Sequence, residues 1–383
     1  MYRYRRVVAM PRISLNLPPT IDPTKASLAY GRLAIPRLGC ELKVDDLLTR
    51  QRAIRTLCDY LHDPEHIAEA VRGGIVPLLK RLLRDPDVPC RAMAAECFIV
   101  LNQHPIGRKA FIDAKVYDVM KLLFSLYEPN LVRLNAHRSI ELVILNPMYA
   151  QVLVKDDLIP LLIAYLEDEF MEIKVSNLYY NPHVDKTKVL ILEALNRCLA
   201  IDADAGLDAN GICVFTKLLI HHNSTVRYKS VQAILRLVVS DRGKVQAIEK
   251  ETVPRLIHLL LDMDSEVRAS AAGALAFICI ITRGRYECLN GDAIPNLLRC
   301  LLSQSTRVRV NALKALTSIG EAPEGRRILQ KSLKEVECLM GDKSVGVRKH
   351  ARIAVNVIKW KPWDLEERCC TKSEISKLYT CKY

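Results

Sequence analysis

Small apolar residues recur along this chain at a spacing that only a helix can use. In VRASAAGALAF, residues 267–277, one side carries almost nothing larger than a methyl group. With Arg268 as an anchor, the same pattern returns at Arg50, Arg91, Arg133, Lys188, Arg227, Arg309 and Arg348, in steps of 41, 42, 55, 39, 41, 41 and 39 residues. Three residues after the anchors stand Ala53, Ala94, Ala136, Ile191, Ser230, Ala271, Ala312 and Ala351. Six after stand Thr56, Cys97, Ser139, Ala194, Ala233, Ala274, Ala315 and Ala354. The seventh and tenth positions are mostly large and apolar, as in Leu275 and Ile278. Offsets of 3, 6, 7 and 10 lie along one helical stripe. Its small members let another helix axis come close, and its large members fill the layer beyond. A cofactor groove is the competing reading of an Ala/Gly face. Because the thinness recurs in most units, the stripe is assigned to helix-on-helix packing within an array.

The rest of each unit follows from punctuation. Pro77, Pro254 and Pro295 stand fourteen residues before their anchors and open Leu-rich runs, as proline in a first helical turn does. A polar turn comes next, with Asp264 or Ser265 as N-cap of the helix at Arg268. Gly107, Gly243, Gly284 and Gly325 stand sixteen residues after their anchors, beside Arg or Lys. They are read as marking the break after the long helix, with a short helix following. A period near 41 built from short, medium and long helices is the armadillo/HEAT class. The expected fold is therefore all-α, a right-handed superhelical solenoid of about eight repeats with irregular N- and C-terminal tails. Residues 1–44 are expected to be a basic, proline-containing arm, 45–362 the solenoid, and 363–383 a C-terminal tail. The long step to Lys188 holds an insertion at residues 167–186, expected to be a loop, whose Tyr179 and Tyr180 suit docking.

Composition narrows the function. Half of the residues are hydrophobic and 6% aromatic, which excludes global disorder and favours Leu/Ala helices over a β-sandwich. Net charge is +13. Arg3, Arg5, Arg6 and Arg12 belong to a leading arm with few acids, which suits an acidic partner surface. The apolar run from Val7 to Met10 is too short for a secretory signal, and no apolar stretch near residue 275 is long enough for a bilayer. The thirteen cysteines, without a CxxC pair, read as reduced thiols; Cys97, Cys198 and Cys279 fall within apolar helical patterns.

Catalytic chemistry finds no foothold. The chain has no HExxH, GxSxG, P-loop or kinase pattern. His62 and His66 are separated by Pro64, and His221 and His222 lie in the polar linker HHNSTVR; both pairs are expected in solvated turns. No enzyme activity, cofactor or metal is expected. Arg197, Arg236 and Lys314, off the small-residue stripe, are candidates for an exposed groove that receives acidic segments. Trp360 and Trp363, after the last unit, either cap the array or bind a partner. Two functions compete, a scaffold bridging protein assemblies and a soluble adaptor or cargo receptor of the nuclear-transport type. The tryptophans fall outside the repeats, there is no Asn ladder, and the surface is basic, the wrong sign for basic cargo. Nucleic acid as a partner would rest on charge alone. No nucleic acid, membrane or small-molecule partner is expected.

Particular segments then narrow the scaffold. PPTIDPTKASLAYG (18–31) and DLLTRQRAIRTLCDYLHDPE (46–65), with AAGALAFICIITRGRY (271–286), NALKALTSIGEAPEGRRILQ (311–330) and ARIAVNVIKWKP (351–362), resemble the radial spoke head 14 homologue family, armadillo proteins of motile cilia. The resemblance spans about residues 11–362; the leading MYRYRRVVA, the tail from Trp363 and the insertion depart from it. It implies a non-enzymatic subunit of the axonemal radial spoke, with other spoke subunits and doublet-microtubule-associated proteins as partners. The implied location is the cytoplasm and cytoskeleton, in the axoneme of a cilium or flagellum.

Overall fold

The computed structural model describes residues 31–175 and 182–361, and the side chains within them except those of Arg32 and 168–184. The chain divides after Tyr149 into two units. In the first, a 3-10 turn (Gly31–Leu33) leads into α1 (Ala34–Glu41), followed by α2 (Leu47–Tyr60), α3 (Pro64–Arg72), α4 (Ile75–Leu82), α5 (Val88–Asn102), α6 (Pro105–Asp113), α7 (Tyr117–Met120) and α8 (Asn130–Val143). The long helices α2, α5 and α8 pack side by side in that order, and α1 packs on α2 and α4 through buried Ile35 and Leu38.

The division falls within α9 (Pro147–Lys155). The second unit continues with α10 (Leu158–Val175), α11 (Pro182–Cys198), α12 (Ala203–Asp208), α13 (Gly211–Leu218), α14 (Ser224–Leu237), α15 (Asp241–Glu249), α16 (Thr252–Leu259), α17 (Ser265–Ile278), α18 (Thr282–Asn290), α19 (Ala293–Leu301), α20 (Thr306–Gly320), α21 (Pro323–Lys331), α22 (Leu333–Cys338) and α23 (Val345–Lys359). Here α11, α14, α17, α20 and α23 form the long-helix row, each packed on the next. The insertion differs from expectation: α10 runs to Val175 and α11 starts at Pro182, so much of it is helix. Tyr179 and Tyr180 lie outside the described residues.

The stripe is the core. All its positions are buried except Thr56 and Tyr60, both in the first repeat. Pro77, Pro254 and Pro295 sit third in their helices, and Asp264 caps α17 by accepting from the Glu266 N–H at 2.8 Å. Cys97, Cys198 and Cys279 are buried free thiols.

The anchor arginines do more than mark register. Each of Arg50, Arg91, Arg227, Arg268, Arg309 and Arg348 turns its Nη1 back onto the carbonyls six and five residues earlier, at 2.6–3.1 Å. Those carbonyls follow the preceding helix, whose last C=O groups have no partner within it and attract cations. Four anchors also reach an acid in the next repeat: Arg50–Asp85 at 3.0 Å, Arg91–Glu128 at 2.9 Å, Arg227–Asp262 at 2.7 Å and Arg309–Asp342 at 3.0 Å. One side chain thus closes a turn and pins the neighbouring repeat. Burial pushes the Asp262 carboxyl up, but Arg227, the Asp264 N–H and Arg268 outweigh it and hold it below the usual range.

The glycines sixteen after the anchors require a correction. Gly107, Gly243, Gly284 and Gly325 each lie third in a short helix, where a Cβ would stand 1.9–2.4 Å from the final carbonyl oxygen of the long-helix stripe. Close approach, and not a break in the chain, excludes a side chain there. The next residue, Arg108, Arg285 or Arg326, caps the end of the long helix as the anchors cap the medium one.

Candidate interaction surface

With offsets 3, 6, 7 and 10 turned into the core, helical periodicity turns offsets 1, 2, 5 and 9 of the long helices to the opposite face. On α17 this second face is thin as well: Ala269, Ser270 and Gly273 are buried although no large side chain of their own covers them. Neighbours cover them. From α20, Asn311 donates to the Ala269 carbonyl at 2.7 Å, and its Nδ2 would lie 3.2 Å from a Cβ at Gly273. From α14, Tyr228 accepts from Gln232 Nε2 at 2.6 Å, and the Arg307 guanidinium of α20 reaches the Tyr228 hydroxyl while pairing with Glu266 of α17. Side chains from the two flanking repeats meet over α17. Its lack of bulk is what allows this.

Beyond that bridge the exposed face is basic and apolar. Arg197, Arg236 and Lys314 are all exposed. Among the described residues, neither Arg236 nor Lys314 has an ion-pair partner, whereas Lys229 is taken up by Glu193 at 3.0 Å. Lys314 stands close enough to His350 of α23 that, after burial, its charge and that of Lys349 hold His350 below the usual histidine range. Val239 just past α14, Phe277 on α17, Ile280 just past it and Ile353 on α23 are exposed in the same row of long helices. Uncompensated cations interleaved with apolar side chains suit a partner segment that is itself acidic and apolar.

The other expected residues are distributed differently. Arg3, Arg5, Arg6, Arg12, Tyr179, Tyr180 and Trp363 lie outside the described residues. Trp360 lies under the Arg326 guanidinium, 4.5 Å from ring to carbon, and its carbonyl accepts from Arg326 Nη1 at 3.2 Å, so it packs on the end of its own unit. His66 is not in a solvated turn: it stacks on Tyr60 at 3.6 Å and contacts the Tyr60 carbonyl at 2.9 Å through Nδ1.

His221 is also corrected. Its side chain is 7% exposed, and its Nε2 lies 3.5 Å from Asp185, which His222 contacts at 2.8 Å. Burial and then Lys188 push His221 down to about 4 against the pull of Asp185. The signal lay in the repeat register. Asp85, Asp262 and Asp342 all stand six residues before an anchor, and His221 occupies that place before Arg227.

Comparison with known proteins agrees with this architecture. Residues 253–355 match the family described as HEAT repeats. The chain is similar to the crystal structure of an engineered protein from a structural genomics consortium, at 21% identity over 85% of this chain and 89% of that one, with a TM-score of 0.61. It is also similar to a structure from work on a conserved phosphorylation switch in the interaction between cadherin and beta-catenin. That match has 15% identity, covers 88% of this chain and 70% of that one, and has a TM-score of 0.67. The fold is an all-α armadillo/HEAT-repeat solenoid. Among the described residues, no helix is long and apolar enough to cross a membrane.

Proposed function

We propose that this solenoid is a non-enzymatic scaffold of the axonemal radial spoke in motile cilia and flagella, holding other spoke subunits on its long-helix face. The docking part rests on one observation, that among the described residues the exposed cations Arg236 and Lys314 have no ion-pair partner, in a row of long helices that also exposes Phe277, Val239 and Ile353. The architecture suits the task, because each repeat offers a different surface to a partner. A solved structure of similar fold comes from work on the cadherin and beta-catenin interaction, which favours a protein partner.

The spoke part rests on the resemblance in PPTIDPTKASLAYG more than on APEGR. In APEGR, Gly325 makes the close approach shared by four of the units, and Arg326 caps the preceding helix as Arg108 and Arg285 do. A fold requirement explains those two residues. Fractionation of demembranated flagella tests the assignment: the protein is expected to stay with the axoneme and to be extracted together with spoke subunits. Recovery in the soluble fraction with import factors would favour the transport-receptor reading instead. Charge reversal at Arg236 and Lys314 is expected to weaken capture of spoke partners by about tenfold or more, and more so at low salt.

A further inference from the structure

The junction between α11 and α14 departs from the arginine–carboxylate pin found at four other junctions. At three of those an arginine meets an aspartate of the next repeat: Arg50–Asp85, Arg227–Asp262 and Arg309–Asp342. Here the arginine is replaced by Lys188 and the aspartate by His221. A carboxylate enters from a different place, the N-terminal part of α11, where buried Asp185 faces both His221 and His222. One ligand atom from each of Asp185, His221 and His222 lies within 4.8 Å of the others. Among the described residues this is the one group of three or more metal-ligating side chains that converges in this way.

We infer that Asp185, His221 and His222 form a binding site for a divalent transition-metal ion of the zinc class. Two imidazole nitrogens and one carboxylate oxygen, with a fourth position open, are the donor set such ions take, at about 2.0–2.2 Å from each ligand. Donors around one tetrahedral ion stand about 3.3–3.6 Å apart, so a closure of about 1.5 Å or less seats it. The two rings, with centroids 4.3 Å apart and tilted by 30°, are already side by side. His222 is exposed and gives the ion its way in, and the fourth position is open to water or a partner's side chain.

The hydrogen bonds specify what must change. The Asn223 N–H points at His221 Nδ1 at 3.1 Å, which puts the ring proton on Nε2, toward Asp185. Asn223 Nδ2 also donates to Asp185, at 3.3 Å. When an ion takes Nε2, that proton moves to Nδ1 and the Asn223 N–H turns to water. No net proton is released from the ring. Lys188, whose charge bears on His221, opposes a cation and holds the affinity down. The site was not expected from the sequence, where HHNSTVR reads as a polar linker.

The test uses the full chain, freed of metal by chelation and then titrated separately with Zn²⁺ and with Co²⁺ as a spectroscopic probe. One equivalent of zinc should remain after gel filtration, and cobalt should give visible bands of a low-coordinate N/O site. The Asn223 amide should lose its protection against hydrogen exchange on loading. His222→Ala, an exposed position, and Asp185→Asn, which preserves shape, should each lower affinity by about tenfold or more while the metal-free protein unfolds as before. Absence of saturable binding would overturn the inference. Affinity unchanged from the parent chain in both variants would do so too, since it would assign the ion to other donors. Neither result bears on the docking face, which lies on other residues.

Discussion

Gly284→Ala perturbs the array at one of its four close helix–helix contacts. An added Cβ would lie 2.1 Å from the Ile278 carbonyl oxygen, 2.8 Å from its carbon and 2.9 Å from Ile278 Cγ2. Ordinary contact needs about 3.4 Å, so α18 must retreat by more than about 1 Å from the end of α17, an overpacking strain of about 1–3 kcal/mol. The retreat also draws Arg285 away from the Cys279 and Ile280 carbonyls, both now at 3.0 Å, at about 1 kcal/mol or more. A total near 3 kcal/mol is expected. Gly346→Ala in α23 is the control: its nearest atoms would be 3.7 and 3.8 Å away, and alanine there gains up to about 1 kcal/mol of helix propensity. Repeat arrays open locally as well as globally, so urea denaturation should be joined to hydrogen exchange. The Gly284 variant should lose protection across α17 and α18 and leave α5 and α6 unchanged. Stability within about 0.5 kcal/mol of the parent would refute the close-approach argument for all four glycines.

Three further outcomes follow from the same geometry. Arg227→Ala removes two carbonyl caps and the pair with Asp262, a cost of about 3 kcal/mol, whereas Arg268→Ala, whose place in the next repeat is held by Ser303, should cost about half that in denaturant titrations. Burial and then the Arg133 charge push His137, stacked on Phe124, down to about 3. A folded value below the unfolded one means the unfolded chain takes the proton first, so this contribution is complete above pH 6.5 and is lost as pH falls toward 3; by pH 4.5 about 2–3 kcal/mol should be gone. A His137→Met variant should show a flatter stability profile between pH 7 and 4.5. Lys115→Gly should stabilise by about 1 kcal/mol, because Lys115 holds φ 49° in the left-handed region; a loss of stability would contradict this.

Much of the fold was legible because a solenoid repeats its requirements. A stripe seen once is weak, but the agreement of Ala271, Ala312 and Ala351 over steps of 41 and 39 residues defines a helix face. What escaped was chemistry carried by unlike residues in like places. Gly74, Lys115, Asp157, Glu251 and Asp292 each stand twenty-four after an anchor, and all adopt positive φ. Only one of them is a glycine, so this recurring turn leaves no letter pattern. Arginine at the anchor was visible, but its grip on carbonyls five and six residues back appears only once the medium helix folds beside the long one. The acids and Asn-Pro of the insertion interrupt the period and predict a loop, yet α10 extends to Val175. At His221 local composition and register disagree: beside His222 and Asn223 it looks solvated, while its place in the unit is one where aspartates with buried side chains stand elsewhere.

The central claim is that the exposed long-helix face of this chain holds partners within a ciliary spoke. Crosslinking mass spectrometry on demembranated motile axonemes tests it most directly, with Lys314 and Lys349 as reporters on that face and Lys80, which is tied to the Ala114 carbonyl at 2.8 Å, as the internal comparison. Crosslinks from Lys314 and Lys349 to acidic segments of other spoke subunits are the predicted result. Crosslinks to import factors, or a face that remains unlinked while the protein is present in the axoneme, would contradict it.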